Sequence, residues 1–122
     1  MAYDDQNIFA KILRGEIPCD KVYENDHALA FRDVNPQTPV HILVIPKGPY
    51  VSAADFTEKA SDAEIAGLMR AVGEVGKIGG VVDSGYRFLS NHGRDAHQEV
   101  PHFHIHVFGG KNLGRMIKPI DK

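Results

Sequence analysis

Apolar and polar positions along this chain fall into two alternating periods. After Asp4 and Asp5, which can cap, Ile8, Phe9, Ile12 and Leu13 recur at helical spacing, and Gly15 and Pro18 stop that helix. KVYE (21–24) and ALAFRD (28–33) flank the turn pair Asn25-Asp26 and predict a hairpin. NPQTP (35–39) is a loop stiffened by Pro36 and Pro39, and VHILVIP (40–46) is apolar enough for a central strand. Ser61-Asp62-Ala63-Glu64 matches a capping box. The stripe Ile65, Leu68, Met69, Val72, Val75 follows it, and Gly79-Gly80 ends the helix. YRFLSN (86–91) predicts another strand.

The last periodic stretch is PHFHIHVF (101–108). Its strict alternation has the two-residue period of a strand. His102, His104 and His106 then share one face, roughly 7 Å apart, and Phe103, Ile105 and Val107 share the other. Pro101 is tolerated only near the strand's start or on an edge. The order predicts an α+β fold: a five-stranded antiparallel sheet with two helices on one face. The histidine face is left for solvent, a ligand or a partner.

Composition narrows the class. With 122 residues, 43% hydrophobic and 25% charged, the chain suits one domain, 1–122, with a real core. A formal net charge of -2 without a basic run predicts no nucleic-acid partner and no attraction to an anionic membrane. No apolar run approaches the roughly 20 residues of a membrane span, and the acidic N-terminus does not resemble a signal peptide. The single cysteine, Cys19, has no intrachain partner, which fits a reducing, cytoplasmic setting.

Three chemistries fit the histidine row. It can be the wet face of a strand. It can hold a metal, although ligands four apart on a strand, about 13 Å at the backbone, do not converge on one ion. Further ligands would then come from His41, His92 or His97. Or it can attack phosphorus without a metal: a neutral imidazole is a competent nucleophile, and flanking imidazoles can donate to phosphoryl oxygens.

The residues themselves resemble the histidine triad (HIT) superfamily, Hint-like branch. HFHIHVF (102–108) has its His-x-His-x-His-x-x pattern. IFAKILRGEIP, FRDVNPQTPVHILVIPK and SNHGRDAHQEVPHFHIHVFGG are similar to the branch in order and spacing, from about Ile8 to Gly110. The resemblance implies a homodimer whose two sheets join into one. It implies a purine nucleotide substrate and hydrolysis of nucleoside 5′-phosphoramidates, or acyl-nucleotides, through a nucleotidyl-histidine on His104. It places His106 at the phosphate, His102 as an orienting group and His41 as support. Ile8, Phe9, Phe31 and Val34 would line the base pocket, and Asp33 would accept from the ribose hydroxyls. Asn91, Gln98, Glu99 and Val100 would lie near the phosphate and leaving group. No cofactor and no metal are expected. Many relatives carry Cys-x-x-Cys of a structural zinc site where Asn7 and Ala10 stand here. The family's Gly-Gln-Ser before the triad is His97-Gln98-Glu99, and Pro101 replaces a common aromatic. The tail after Gly110 diverges as well. Two other functions remain compatible: a dinucleoside polyphosphate hydrolase, which shares the nucleophile, and a nucleotide-binding scaffold with weak activity.

Overall fold

A computed structural model describes residues 2–117. Eight elements follow one another: α1 (Ile8–Leu13), β1 (Lys21–Glu24), β2 (Ala28–Arg32), β3 (Val40–Pro46), α2 (Ala53–Lys59), α3 (Asp62–Ile78), β4 (Tyr86–Leu89) and β5 (Ile105–Gly109). The strands form one sheet in the order β1-β2-β3-β5-β4, and every pairing is antiparallel. Among the described residues, no helix is long and apolar enough to cross a membrane.

Local chemistry accounts for most element ends. Asn25 closes the β1–β2 hairpin: its Oδ1 accepts from the His27 and Ala28 amides at 2.8 and 2.9 Å. Its Nδ2 donates to the Gly67 carbonyl of α3, tying hairpin to helix. Ser61 caps α3 by accepting from the Glu64 amide, and Glu64 accepts from Ser61 N–H in return. The helix ends at Gly79, as the sequence predicts.

Period-two alternation sorts the strands onto two faces. Ala28, Ala30, Ile42, Val44, Ile105 and Val107 point toward Leu68, Ala71, Val72 and Val75 of α3 and form the larger core. Leu29, Phe31, Leu43 and Ile45 point the other way and meet Phe9 of α1. Small residues on β2 bring α3 close to the sheet.

Three sequence expectations need correction. The helices lie on both faces of the sheet, not one, because Phe9 of α1 buries itself against Phe31 on the side opposite α3. Among the described residues there are three helices, not two. The sequence reading missed α2 because Phe56 is its only buried residue and seven residues carry no readable period; Asp55, which accepts from the Val51 and Ser52 amides, marks its start. The histidine strand enters the ladder only at Ile105. Pro101 has no amide hydrogen, the Phe103 amide donates to Tyr50, and the His104 carbonyl accepts from the Ser90 hydroxyl. The alternation of faces nevertheless continues back through His102.

Candidate active site

Four imidazoles collect on the α1 side of the sheet, from β3 and from the segment that runs into β5. None lies on a wet face: His102 is wholly buried, His41 and His104 are buried and His106 is half-buried. The first turn of α1 and the residues before it cover them. Phe9 lies edge-on to His104 with ring centres 5.0 Å apart, and Tyr3 lies edge-on to His102 at 5.7 Å.

The hydrogen bonds fix where each ring carries its proton. Carbonyl oxygens can only accept, and backbone amides can only donate. His104 Nδ1 is 2.7 Å from the His102 carbonyl, so Nδ1 carries the proton and Nε2 keeps a free lone pair. His102 Nε2 is 2.9 Å from the Pro46 carbonyl, so that nitrogen donates. Its Nδ1 accepts from the Tyr3 hydroxyl at 2.6 Å, and Tyr3 in turn accepts from Asn7 Nδ2 at 3.0 Å. His41 Nδ1 accepts from the Gln37 amide at 3.1 Å, which puts the proton of the neutral ring on Nε2. That proton faces His106 Nδ1 at 2.9 Å. His106 must accept there, and its own proton is left on Nε2.

Burial keeps these rings neutral. Desolvation pushes His102 and His106 down to about 4, His106 being lowered further by its His104 and His41 neighbours. Desolvation also lowers His104 and His41, with nearby Asp33 pulling both back upward. A ring with a lone pair and a ring with an N–H donor therefore stand side by side, His104 and His106, with centres 5.1 Å apart.

Both rings open into a cleft of about 790 Å³. Ile8, Phe9, Phe31, Asp33, Val34, Asn91, Glu99 and Val100 line it with them. The structure thus brings together ten of the thirteen site residues read from the sequence. His102 and His41 stand behind the cleft wall and act through their neighbours. Gln98 does not line the cleft. Its amide nitrogen donates to the Val51 and Val100 carbonyls at 2.6 and 3.1 Å, and its oxygen accepts from the Gly93 amide at 3.0 Å, so it braces the 92–100 loop. Beside it His97 has φ 55°, the left-handed region that glycine adopts without strain.

Tyr3 and Asn7 escaped the sequence reading as site residues. Asn7 does more than orient Tyr3: its Oδ1 accepts from the Ala10 amide at 2.9 Å and caps α1. The two positions where relatives carry a cysteine pair are here joined by that hydrogen bond. The Pro46 and His102 carbonyls are equally invisible in sequence, because every residue has one.

Asp33, His41 and His106 place a carboxylate oxygen and two ring nitrogens within 4.8 Å of one another. The donor set does not fit a cation. His41 Nε2 carries a proton, and moving it to Nδ1 would set two N–H groups against each other at the Gln37 amide.

An open antiparallel sheet with helices on both faces carries a lone-pair imidazole beside a donor imidazole. The chain belongs to the HIT family: the HIT domain model matches residues 14–113. It is 66% identical to an uncharacterized 13.2 kDa HIT-like protein of Azospirillum brasilense, over 94% of each chain. It is 38% identical to the purine nucleoside phosphoramidase of Escherichia coli K12, over 93% of this chain and 94% of that one. Among solved structures, a histidine triad protein from Clostridium difficile superposes with a TM-score of 0.80 at 42% identity, covering 94% of this chain and 98% of that one. A HIT family hydrolase from Clostridium thermocellum gives 0.82 at 30% identity, covering 94% and 99%. These relatives support a hydrolase role.

Proposed function

We propose that this protein hydrolyses purine nucleoside 5′-phosphoramidates through a nucleotidyl-histidine on His104. The carrying observation is the pair of assigned protons: a lone pair on His104 Nε2 and a proton on His106 Nε2, in two rings that open into one cleft.

In this reading His104 Nε2 attacks phosphorus and forms the N–P bond. The His102 carbonyl, accepting from Nδ1, stabilises the positive charge that the ring gains. His106 donates to a phosphoryl oxygen whose charge grows in the transition state. The substrate nitrogen takes a proton from solvent as the P–N bond breaks, and a neutral amine leaves; the attacking water later returns a proton to solvent. Water then attacks the nucleotidyl-histidine, giving the nucleoside monophosphate and the free ring. Phe9, Phe31, Ile8 and Val34 form an apolar wall suited to a purine, and Asp33 lies where a ribose could reach it. The name of the Escherichia coli relative agrees with this substrate class.

The charges lining the cleft favour a phosphoramidate over a dinucleoside polyphosphate. Arg32 is held at 3.5 Å from Asp20, whereas exposed Glu99 lines the cleft and repels an anionic leaving group. Incubation with an adenosine phosphoramidate of a fluorescent amine tests the reading. Quenching without acid, followed by mass spectrometry, is expected to find one nucleotide attached at His104. Product release with no such adduct would overturn it.

We also propose that two copies pair along β4. It is an edge strand with Phe88 and Leu89 exposed, and the family resemblance implies a homodimer. Sedimentation equilibrium is expected to give twice the chain mass.

A further inference from the structure

Asp33 does not face the cleft alone. Its Oδ2 is 3.4 Å from His41 Nε2, the same nitrogen that donates to His106 Nδ1 at 2.9 Å. Its Oδ1 is already held by the Asn35 amide at 2.8 Å. The proton on His41 Nε2 is therefore hydrogen-bonded to the ring beside the nucleophile and lies within Coulomb range of a carboxylate. The Gln37 amide leaves that proton no other place, since it occupies His41 Nδ1.

We propose that Asp33 is a positioning residue through which the sugar of the substrate controls the His106 donor. This inference rests on the nucleotide reading above and assigns a ribose requirement to turnover as well as to binding. With the cleft empty, Asp33 draws on the His41 proton and weakens the His41–His106 hydrogen bond. Ribose hydroxyls that donate to Asp33 spread its charge and occupy its free lone pairs. The pull of the carboxylate on the His41 proton then eases, and the bond to His106 Nδ1 strengthens. Hydrogen bonds in a chain polarise one another: a stronger bond into Nδ1 makes the Nε2 proton of His106 a better donor. The sequence Gln37 N–H, His41, His106 runs in one direction and ends at the phosphoryl oxygen. Asp33 is the carboxylate that pulls on this chain from the side, and the ribose offsets its charge.

Wild-type protein and paired sugars test the coupling. Adenosine and 2′,3′-dideoxyadenosine, each at saturation, are compared by histidine side-chain nitrogen NMR. Adenosine is expected to shift the His41 Nε2 and His106 Nδ1 resonances, whereas the dideoxy nucleoside leaves them near their free positions. With the corresponding phosphoramidates, kcat is expected to fall on the order of tenfold when the hydroxyls are absent, the effect of about one hydrogen bond. In Asp33→Asn the ribose-specific shift is expected to vanish. If both nucleosides bind and move the two resonances equally, or if the missing hydroxyls raise KM and leave kcat unchanged, the coupling is wrong while the nucleotide reading stands. If neither nucleoside binds, both fall.

Discussion

His104 and His106 are the same residue type two positions apart, and their surroundings give them opposite roles. The backbone carbonyl of His102 turns one ring into a lone-pair donor, and His41 turns the other into a proton donor. Replacing His104 by Ala should lower phosphoramidate turnover by about 10³-fold or more, and His106→Ala by about 10²-fold, measured as kcat/KM on folded protein. Because burial holds these rings below the ordinary imidazole value, the acid limb of the pH–rate profile should fall below pH 6.5. The same burial sets an acid limit on stability. His102 titrates at about 4 in the fold and near 6.5 unfolded, so below pH 6.5 the unfolded chain binds the extra proton. Urea midpoints should drop between pH 6.5 and 4, with about 3 kcal/mol withdrawn by this ring. His97→Gly should raise the melting temperature, since it relieves about 1 kcal/mol of left-handed strain. His104, His106, Phe9, Phe31 and Asp33 were legible as cleft residues because side-chain type and spacing are written in the sequence. The carbonyls that fix the tautomers were not, and the place of Gln98 behind the loop rather than in the cleft was not either, because an amide side chain serves a loop and a ligand equally well.

Element ends decide how the site is held. Asn7 caps a six-residue helix that carries Phe9 and Ile8 into the cleft, and it also orients Tyr3 against His102. Asn7→Ala should destabilise the protein by about 1 kcal/mol and weaken nucleoside binding, readable together by calorimetry. On the far face, Gly76 of α3 lies against Tyr86 of β4, where an added Cβ would be 2.9 Å from the ring. Gly76→Ala should cost about 1–3 kcal/mol in chemical denaturation, because the half-buried Tyr86 ring must shift to admit the methyl. Long periodic elements were legible: α3 runs from its capping box to its glycine pair, and β3 matches its apolar run. The start of β5 was not, because alternation reports which way side chains point and not which amides find a partner strand. A segment can keep the period of a strand after leaving the ladder, as 102–104 does.

Over the whole molecule, the sheet separates two tasks. The α3 side holds the larger core, and the α1 side holds a smaller core and the four histidines in and behind the cleft wall. Antiparallel order was readable from short connections between strands. The placement of α1 was not, since an amphipathic helix says that it has an apolar face and not which side of a sheet receives it. The clustering of Asp33, His41 and His106 is also a property of the folded whole, and its proton pattern does not suit a cation. Turnover should therefore survive exhaustive dialysis against EDTA, assayed before and after. The division of the sheet has a practical corollary. An engineer seeking heat tolerance could rebuild the packing beneath α3 by combinatorial mutagenesis, select survivors by thermal challenge, and expect catalytic constants to drift little, because the altered atoms and the reactive rings are screened from each other by a layer of backbone.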